Sequence, residues 1–268
     1  MVCLPRGVIR DAIPDRSDRE AAGCPTKGDV VKILILGAAS RLGPYCVSAL
    51  EGDHELRLSD IVAVESDHES LHVDISSLEQ VNDAMAGMDV VINCTVERRD
   101  RKRAFDVNAL GCYHTMRAAV SNGVKRVINT GPHFTIQGPT YENYDYGIGP
   151  EATPQPGVNL YAHSKSIGQE ICRVFAEHND LHLLMLLFYI FRADDDGKFN
   201  HPHLVSWRDS AQAVKRAVEV DLSTMPTRCE VFSIFSDQPH GRFSNDKAKR
   251  LLGWYPQDDL SEHWTRES

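Results

Sequence analysis

Val31-Lys-Ile-Leu-Ile-Leu-Gly-Ala-Ala-Ser-Arg-Leu-Gly43 is an apolar run that breaks into a glycine turn, and the residues after it, to Leu50, read as a helix. A continuous run of branched apolar residues suits a strand buried on both faces of a parallel sheet. Strand, glycine turn and helix in that order form a cradle for phosphate. Gly37 allows the tight turn, the small residues let backbone approach a pyrophosphate, and Gly43 lets the helix pack closely on the strand. Unpaired N–H groups at the helix start then attract the phosphates. Ser40 stands where such loops usually carry a middle glycine; it is small, and its hydroxyl is itself a phosphate donor. Gly37, Ser40, Arg41, Leu42 and Gly43 are the candidate dinucleotide contacts of this loop.

Working outward, His54 to Ser59 reads as a second strand that ends at Asp60-Ile61, where a carboxylate binds the ribose hydroxyls of an adenosine. Asp60 repels a 2′-phosphate and so favours NAD, whereas Arg41 can pair with one, which keeps NADP open. Leu71 to Ile75 is a short strand in which Asp74 either accepts a hydrogen bond from the adenine amino group or caps the strand end. A helix from Ser77 to Gly87 and a buried strand from Asp89 to Cys94 follow. The charged run Glu97 to Arg103 is either a solvated loop and helix start or a contact for an anionic substrate. Then come a helix from Phe105 to Asn122, a strand from Val124 to Thr130, a loop-rich stretch, a helix carrying Tyr161, and a strand from His182 to Tyr189. The remainder reads as helix (Ser206 to Val220), strand (Glu230 to Ser236) and short helix (Asn245 to Leu252).

Strands alternating with helices imply an α/β protein: a Rossmann-type doubly wound parallel sheet with helices on both faces. Ligands then sit beyond the carboxyl ends of the strands, where Gly37, Asp60, Asp74, Thr95 and Thr130 all fall. The chain divides into a loosely ordered leader (1–29), a dinucleotide-binding core (30–190) and a small C-terminal substrate-binding region (191–268) that returns a late strand to the core sheet.

With 268 residues, 42% of them apolar, the chain has ample material for a buried core. Its net charge of −9 argues against a nucleic-acid partner, since phosphate backbones select positive surfaces. Seven scattered cysteines, none in a Cys-x-x-Cys, fit reduced thiols in the cytoplasm. His201-Pro-His203 lacks neighbours at zinc-ligand spacing and is read as a loop pair, so no metal is expected. No apolar run reaches membrane-spanning length, and no membrane partner is expected.

Tyr161-Ala-His-Ser-Lys165 places a phenol and an ammonium on one helical face. Free tyrosine ionises near pH ~10, too high for acid–base work at neutrality, and a neighbouring cation favours the phenolate. Tyr161 and Lys165 therefore make a candidate proton-transfer pair.

With these residues assembled, the chain resembles the extended short-chain dehydrogenase/reductase superfamily, the NAD-dependent epimerase/dehydratase family, over residues 31 to 260. ILILGAASRLG, ELRLSDI, HVDI, DVVINCT, NALGCYHTMRAAVSNGVKRV and LYAHSK carry the resemblance. It is most similar to the uronate dehydrogenase branch, through ELRLSDI, TVERR, the Pro132-His133 pair and SNDKAKRLLGWYPQDD. The resemblance implies Tyr161 as acid/base and Lys165 on the nicotinamide ribose. It also implies Ile61, Ile75, Cys94, Thr95 and Asn108 as cofactor contacts, and Thr95, Pro132 and His133 as substrate contacts. A sugar or sugar acid would be the substrate, oxidised in the uronate branch at its anomeric carbon. A homodimer would form through the helices at 105–122 and 161–178.

The chain departs from the family in two places, and the first is that no serine follows the fifth strand. Asn129-Thr-Gly-Pro-His-Phe-Thr135 puts Gly131 or His133 there, and Thr130, His133 or Thr135 are the candidate substitutes. No arginine matches the carboxylate clamp; the region after the sixth strand offers Lys198, and Arg98, Arg99 or Arg101 are alternatives. The expected activity is an NAD-dependent oxidoreductase acting on a sugar or sugar acid. The alternatives are a nucleotide-sugar epimerase or dehydratase, and a non-catalytic dinucleotide sensor.

Overall fold

The structure is a computed structural model that describes residues 29–133, 135, 149–193, 197, 201–239 and 244–264. The leader up to residue 28 and Lys198 lie outside the described residues. In chain order the first half comprises β1 (Lys32–Leu36), α1 (Gly43–Leu50), β2 (Glu55–Asp60), β3 (Glu69–His72), α2 (Leu78–Met85) and β4 (Val90–Asn93). α3 (Arg101–Phe105), a π turn (Asp106–Leu110), α4 (Gly111–Asn122), β5 (Arg126–Pro132), α5 (Leu160–His178) and β6 (His182–Phe188) follow. β7 (Ile190–Arg192), β8 (Leu204–Ser206), α6 (Trp207–Glu219), β9 (Cys229–Ser233) and α7 (Asp246–Leu252) close the described chain.

Seven strands form one parallel sheet in the order β3-β2-β1-β4-β5-β6-β9, and β7 pairs with β8 separately. The order reverses between β1 and β4, which opens a crevice at their carboxyl ends. This is the expected Rossmann-type doubly wound fold. Alternation along β1 explains the two layers: Ile33 and Ile35 pack towards α1 and α6 with Cys46, Leu50 and Val214. Leu34 and Leu36 face α2, α4 and α5 with Val81, Met85, Met116 and Cys172.

Element ends differ from the sequence expectation where side-chain hydrogen bonds decide them. The helix expected from Phe105 begins at Arg101, because Asp100 caps it by accepting from the Lys102 and Arg103 amides, each at 2.9 Å. The last three residues of the charged run, Arg101 to Arg103, are therefore helix. The strand expected at 71–75 lies at 69–72; Asp74 and Ile75 lie past its end, where the Asp74 amide donates to Gln80 Oε1 at 2.8 Å. Likewise the late strand ends at Ser233, and the Ser236 amide turns to the Leu204 carbonyl. α5 begins at its expected place because Asn159 Oδ1 accepts from the Tyr161 amide at 3.0 Å.

The π turn lies against α5 at Gly168. A β-carbon there would come within 2.1 Å of the Asn108 carbonyl oxygen and 2.9 Å of Cys112 Sγ, so α5 can approach only because residue 168 has no side chain. Gly168→Ala is expected to cost about 3 kcal/mol through overpacking, measured by urea unfolding. Gly52→Ala, whose β-carbon would meet open space, should leave the midpoint unchanged.

Candidate active site

The crevice holds two joined cavities at the carboxyl ends of the strands. The smaller, about 250 Å³, is lined by Gly37, Ser40, Asp60, Ile61, Asp74, Ile75 and Thr95, and also by Arg103 from α3. The larger, about 750 Å³, is lined by Ser40, Arg41, Leu42, Cys94, Thr95, Thr130, Pro132, Tyr161 and Lys165. Ser40 and Thr95 line both.

The glycine loop is held by backbone crowding. Gly37 has φ +82°, and a β-carbon on it would lie 2.7 Å from the Thr95 amide. At Gly43 the equivalent atom would meet the Ala38 carbonyl at 2.1 Å, so Gly43 shapes the loop without lining either cavity. Ser40 Oγ accepts from the Gly43 amide at 3.2 Å. Asp60 stands at the end of β2 and ties the loop down, accepting from the Ala39 amide at 3.0 Å and the Ile61 amide at 2.7 Å. Asp74 Oδ1 accepts from the Ser76 hydroxyl at 2.7 Å and its amide at 2.9 Å, and these bonds hold the carboxyl below its usual range.

A buried polar network sets the floor of the larger cavity. Asn93, the last residue of β4, is the register partner of Asn129 in the middle of β5, and Asn93 Nδ2 donates to Asn129 Oδ1 at 3.0 Å. Asn93 Oδ1 accepts from both the Thr95 amide (3.1 Å) and the Thr95 hydroxyl (2.7 Å), which turns the chain out of the strand. The Thr95 carbonyl so presented accepts from Lys165 Nζ at 2.8 Å. Lys165 is only 4% exposed, so its ammonium needs such an acceptor. One turn earlier on α5, Tyr161 opens on the cavity beneath Arg98, whose guanidinium lies 5.6 Å from the ring centre.

Three expected site residues are placed elsewhere. Asn108 lines neither cavity; it is buried, joining the Glu97 backbone (3.1 and 2.8 Å) to Ser164 Oγ (3.0 Å) and so docking the 95–97 turn on α5. His133 is fully buried and does not line the cleft, because the chain turns after Pro132 and directs its ring onto His203 and Phe235, both 4.7 Å away. Thr135 is also fully buried, its hydroxyl 2.9 Å from both the Pro132 carbonyl and Gln169 Oε1. Thr130 does line the cavity, but its hydroxyl donates to the Asn93 carbonyl at 2.9 Å. At Gly131 a β-carbon would fall 2.2 Å from Gln169 Nε2, so the Gln169 amide fills the space of any side chain there.

An aromatic wall without a signature in the sequence lines the larger cavity. Trp207 stacks on Phe191 at 4.2 Å, and both line the large cavity with Tyr189. Arg41 lies over the same indole at 4.9 Å. Sequence spacing links neither Phe191 nor Trp207 to the glycine loop. Asn93 did carry a signal, an amide ending an apolar strand, which demands a buried partner.

The donor set fits a dinucleotide: a crowded glycine loop, Asp60 and Asp74 at one end, and a basic and aromatic chamber at the other. Comparison with known proteins agrees. The chain is 22% identical to an L-arabinose 1-dehydrogenase (NAD(P)(+)) of Haloferax volcanii over 259 residues, covering 86% of this chain and 98% of the relative. Among solved structures it is similar to a mutated uronate dehydrogenase (25% identity, TM-score 0.72, 86% and 83% of the two chains covered). It shares its fold with a glucuronic acid dehydrogenase of Chromohalobacter salexigens (24% identity, TM-score 0.73, 90% and 91% covered). The profile of the NAD dependent epimerase/dehydratase family matches residues 33–191, and the chain belongs to that family.

Proposed function

We propose that the protein is an NAD-dependent oxidoreductase that moves a hydride between the cofactor and the anomeric carbon of a sugar or sugar acid, with Tyr161 as the acid/base. The observation that carries this is the placement of Tyr161 and Lys165 in one cavity, continuous with the glycine loop and Asp60. The named relatives oxidise an aldose or a uronic acid, which supports the substrate class.

NAD supplies a hydride acceptor when bound. The chain's own residues do the rest. The glycine-loop backbone and the start of α1 receive phosphate, and Asp60 and Asp74 take the ribose and adenine ends. Tyr161 exchanges the proton of the substrate hydroxyl, with Lys165 held near it on the Thr95 carbonyl. The stacked Trp207 and Phe191 exclude water from one side and offer flat apolar surface to a sugar ring. Arg41 rests on that wall and not beside Asp60, which favours NAD over NADP.

The region from residue 191 onward is taken as the substrate side, since Phe191 and Trp207 belong to it. A homodimer through α4 and α5 fits the partly exposed Tyr113, Ile167 and Val174 on those helices. A cytoplasmic location fits the five described cysteines, all thiols. No described helix is long and apolar enough to cross a membrane.

Tyr161→Phe is expected to lower kcat by about 10³-fold or more while NAD affinity stays within about twofold. Nicotinamide absorbance and quenching of tryptophan fluorescence read the two quantities. Asp60→Ser is expected to raise the NADP-to-NAD ratio of kcat/KM roughly tenfold or more by removing like-charge repulsion.

A further inference from the structure

Converting a C–O–H carbon to a carbonyl builds negative charge on the oxygen as its proton leaves. A second donor aimed at that oxygen lowers the barrier. Around Tyr161 the hydroxyl donors are engaged inside the protein, and one N–H of the Lys165 ammonium is as well. The Thr95 hydroxyl donates to Asn93 Oδ1, the Thr130 hydroxyl to the Asn93 carbonyl, and the Lys165 ammonium to the Thr95 carbonyl. Gly131 brings no side chain, and Thr135 and His133 are fully buried and line no part of the cavity.

Arg98 is placed differently. It lines the cavity, its Cζ lies 5.6 Å from the centre of the Tyr161 ring, and no described carboxylate forms a salt bridge with it. Its acidic neighbour Glu97 is turned to backbone, accepting from the Arg99 amide at 2.6 Å and the Asp100 amide at 3.2 Å. A guanidinium carries five N–H donors in a plane, so it can cover the phenol face and still point donors past the ring edge.

We propose that Arg98 is a catalytic residue that donates a hydrogen bond to the substrate oxygen whose proton Tyr161 exchanges. The proposal rests on Tyr161 being the acid/base. In the oxidative direction the hydroxyl proton passes to the Tyr161 phenolate. A hydride, one hydrogen with two electrons, leaves the same carbon for NAD⁺ to give NADH, and the C–O bond becomes C=O. Arg98 gains and loses no proton; it stabilises the oxygen while the charge is there.

The same guanidinium as a clamp on a sugar-acid carboxylate is the competing role, and matched sugars separate the two. L-Arabinose has the ring of D-galacturonate without its carboxylate, and D-xylose has that of D-glucuronate. Wild type, Arg98→Met and Arg98→Lys are assayed with NAD on all four, with NAD binding measured in parallel. The expected result for Arg98→Met is a kcat lower by about 100-fold on every sugar that wild type oxidises, with KM and NAD affinity little changed. The kinetic isotope effect with the C1-deuterated sugar should rise, added guanidinium ion should restore part of the rate, and Arg98→Lys should fall in between. A higher KM confined to the acids, with kcat kept, overturns the proposal and makes Arg98 a carboxylate clamp. Unchanged kinetics also overturn it. If wild type binds NAD yet oxidises none of the four, the proposed sugar oxidation fails first and the proposal, which rests on it, fails with it.

Discussion

The carboxamide of Asn93 ties the site together. It accepts twice from Thr95 and donates to Asn129, while the main-chain carbonyl of Asn93 receives the Thr130 hydroxyl. These bonds end β4 and send the chain out across the cavity. They also aim the Thr95 carbonyl at the buried ammonium of Lys165, one helical turn from Tyr161. Deep in the sheet each of these groups would be costly unpaired, so the network has essentially one satisfied arrangement. Precision at the reacting end of the cleft is inherited from this interior polar seam.

The cofactor end was legible in the sequence because it makes local demands. A tight turn at Gly37, contact distances that only glycine tolerates, and a carboxylate ending β2 are all written within some thirty residues of chain. Tyr161 and Lys165 were legible for the same reason, since helical spacing alone puts them on one face. The other parts depend on tertiary contacts that spacing does not encode. His133 follows a strand in an extended register, yet the chain bends after Pro132 and aromatic packing with His203 and Phe235 captures the ring. Arg98 belonged to a charged run with no periodicity, and only the cap at Asp100 decides where helix begins and leaves Arg98 and Arg99 ahead of it at the cavity. Thr130 stood at the expected position, but its hydroxyl was already engaged by a neighbouring strand.

The two ends of the cleft also differ in physical character. Around Asp60 and Asp74 it is acidic and organised by backbone amides, suited to hydroxyl and amino groups. Around Tyr161 it is cationic and aromatic, with Arg41, Arg98, Arg99 and Lys165 beside Tyr189, Phe191 and Trp207. A neutral ribose suits the first chamber and an electron-rich oxygen the second. Trp207 ties the glycine loop to the C-terminal part within the second chamber, since it contacts Arg41 of the one and Phe191 of the other.

The π turn at Asp106–Leu110 makes α3, the turn and α4 one rod spliced from two angular phases. Residues in an α-helix advance about 100° each, and a wider turn absorbs an offset between the segments on either side. Arg103 can therefore look into the smaller cavity while Cys112 and Met116 stay in the core. Cleft-facing and core-facing sequence are thereby uncoupled: the charged half can be rewritten for a new ligand without re-tuning the buried half.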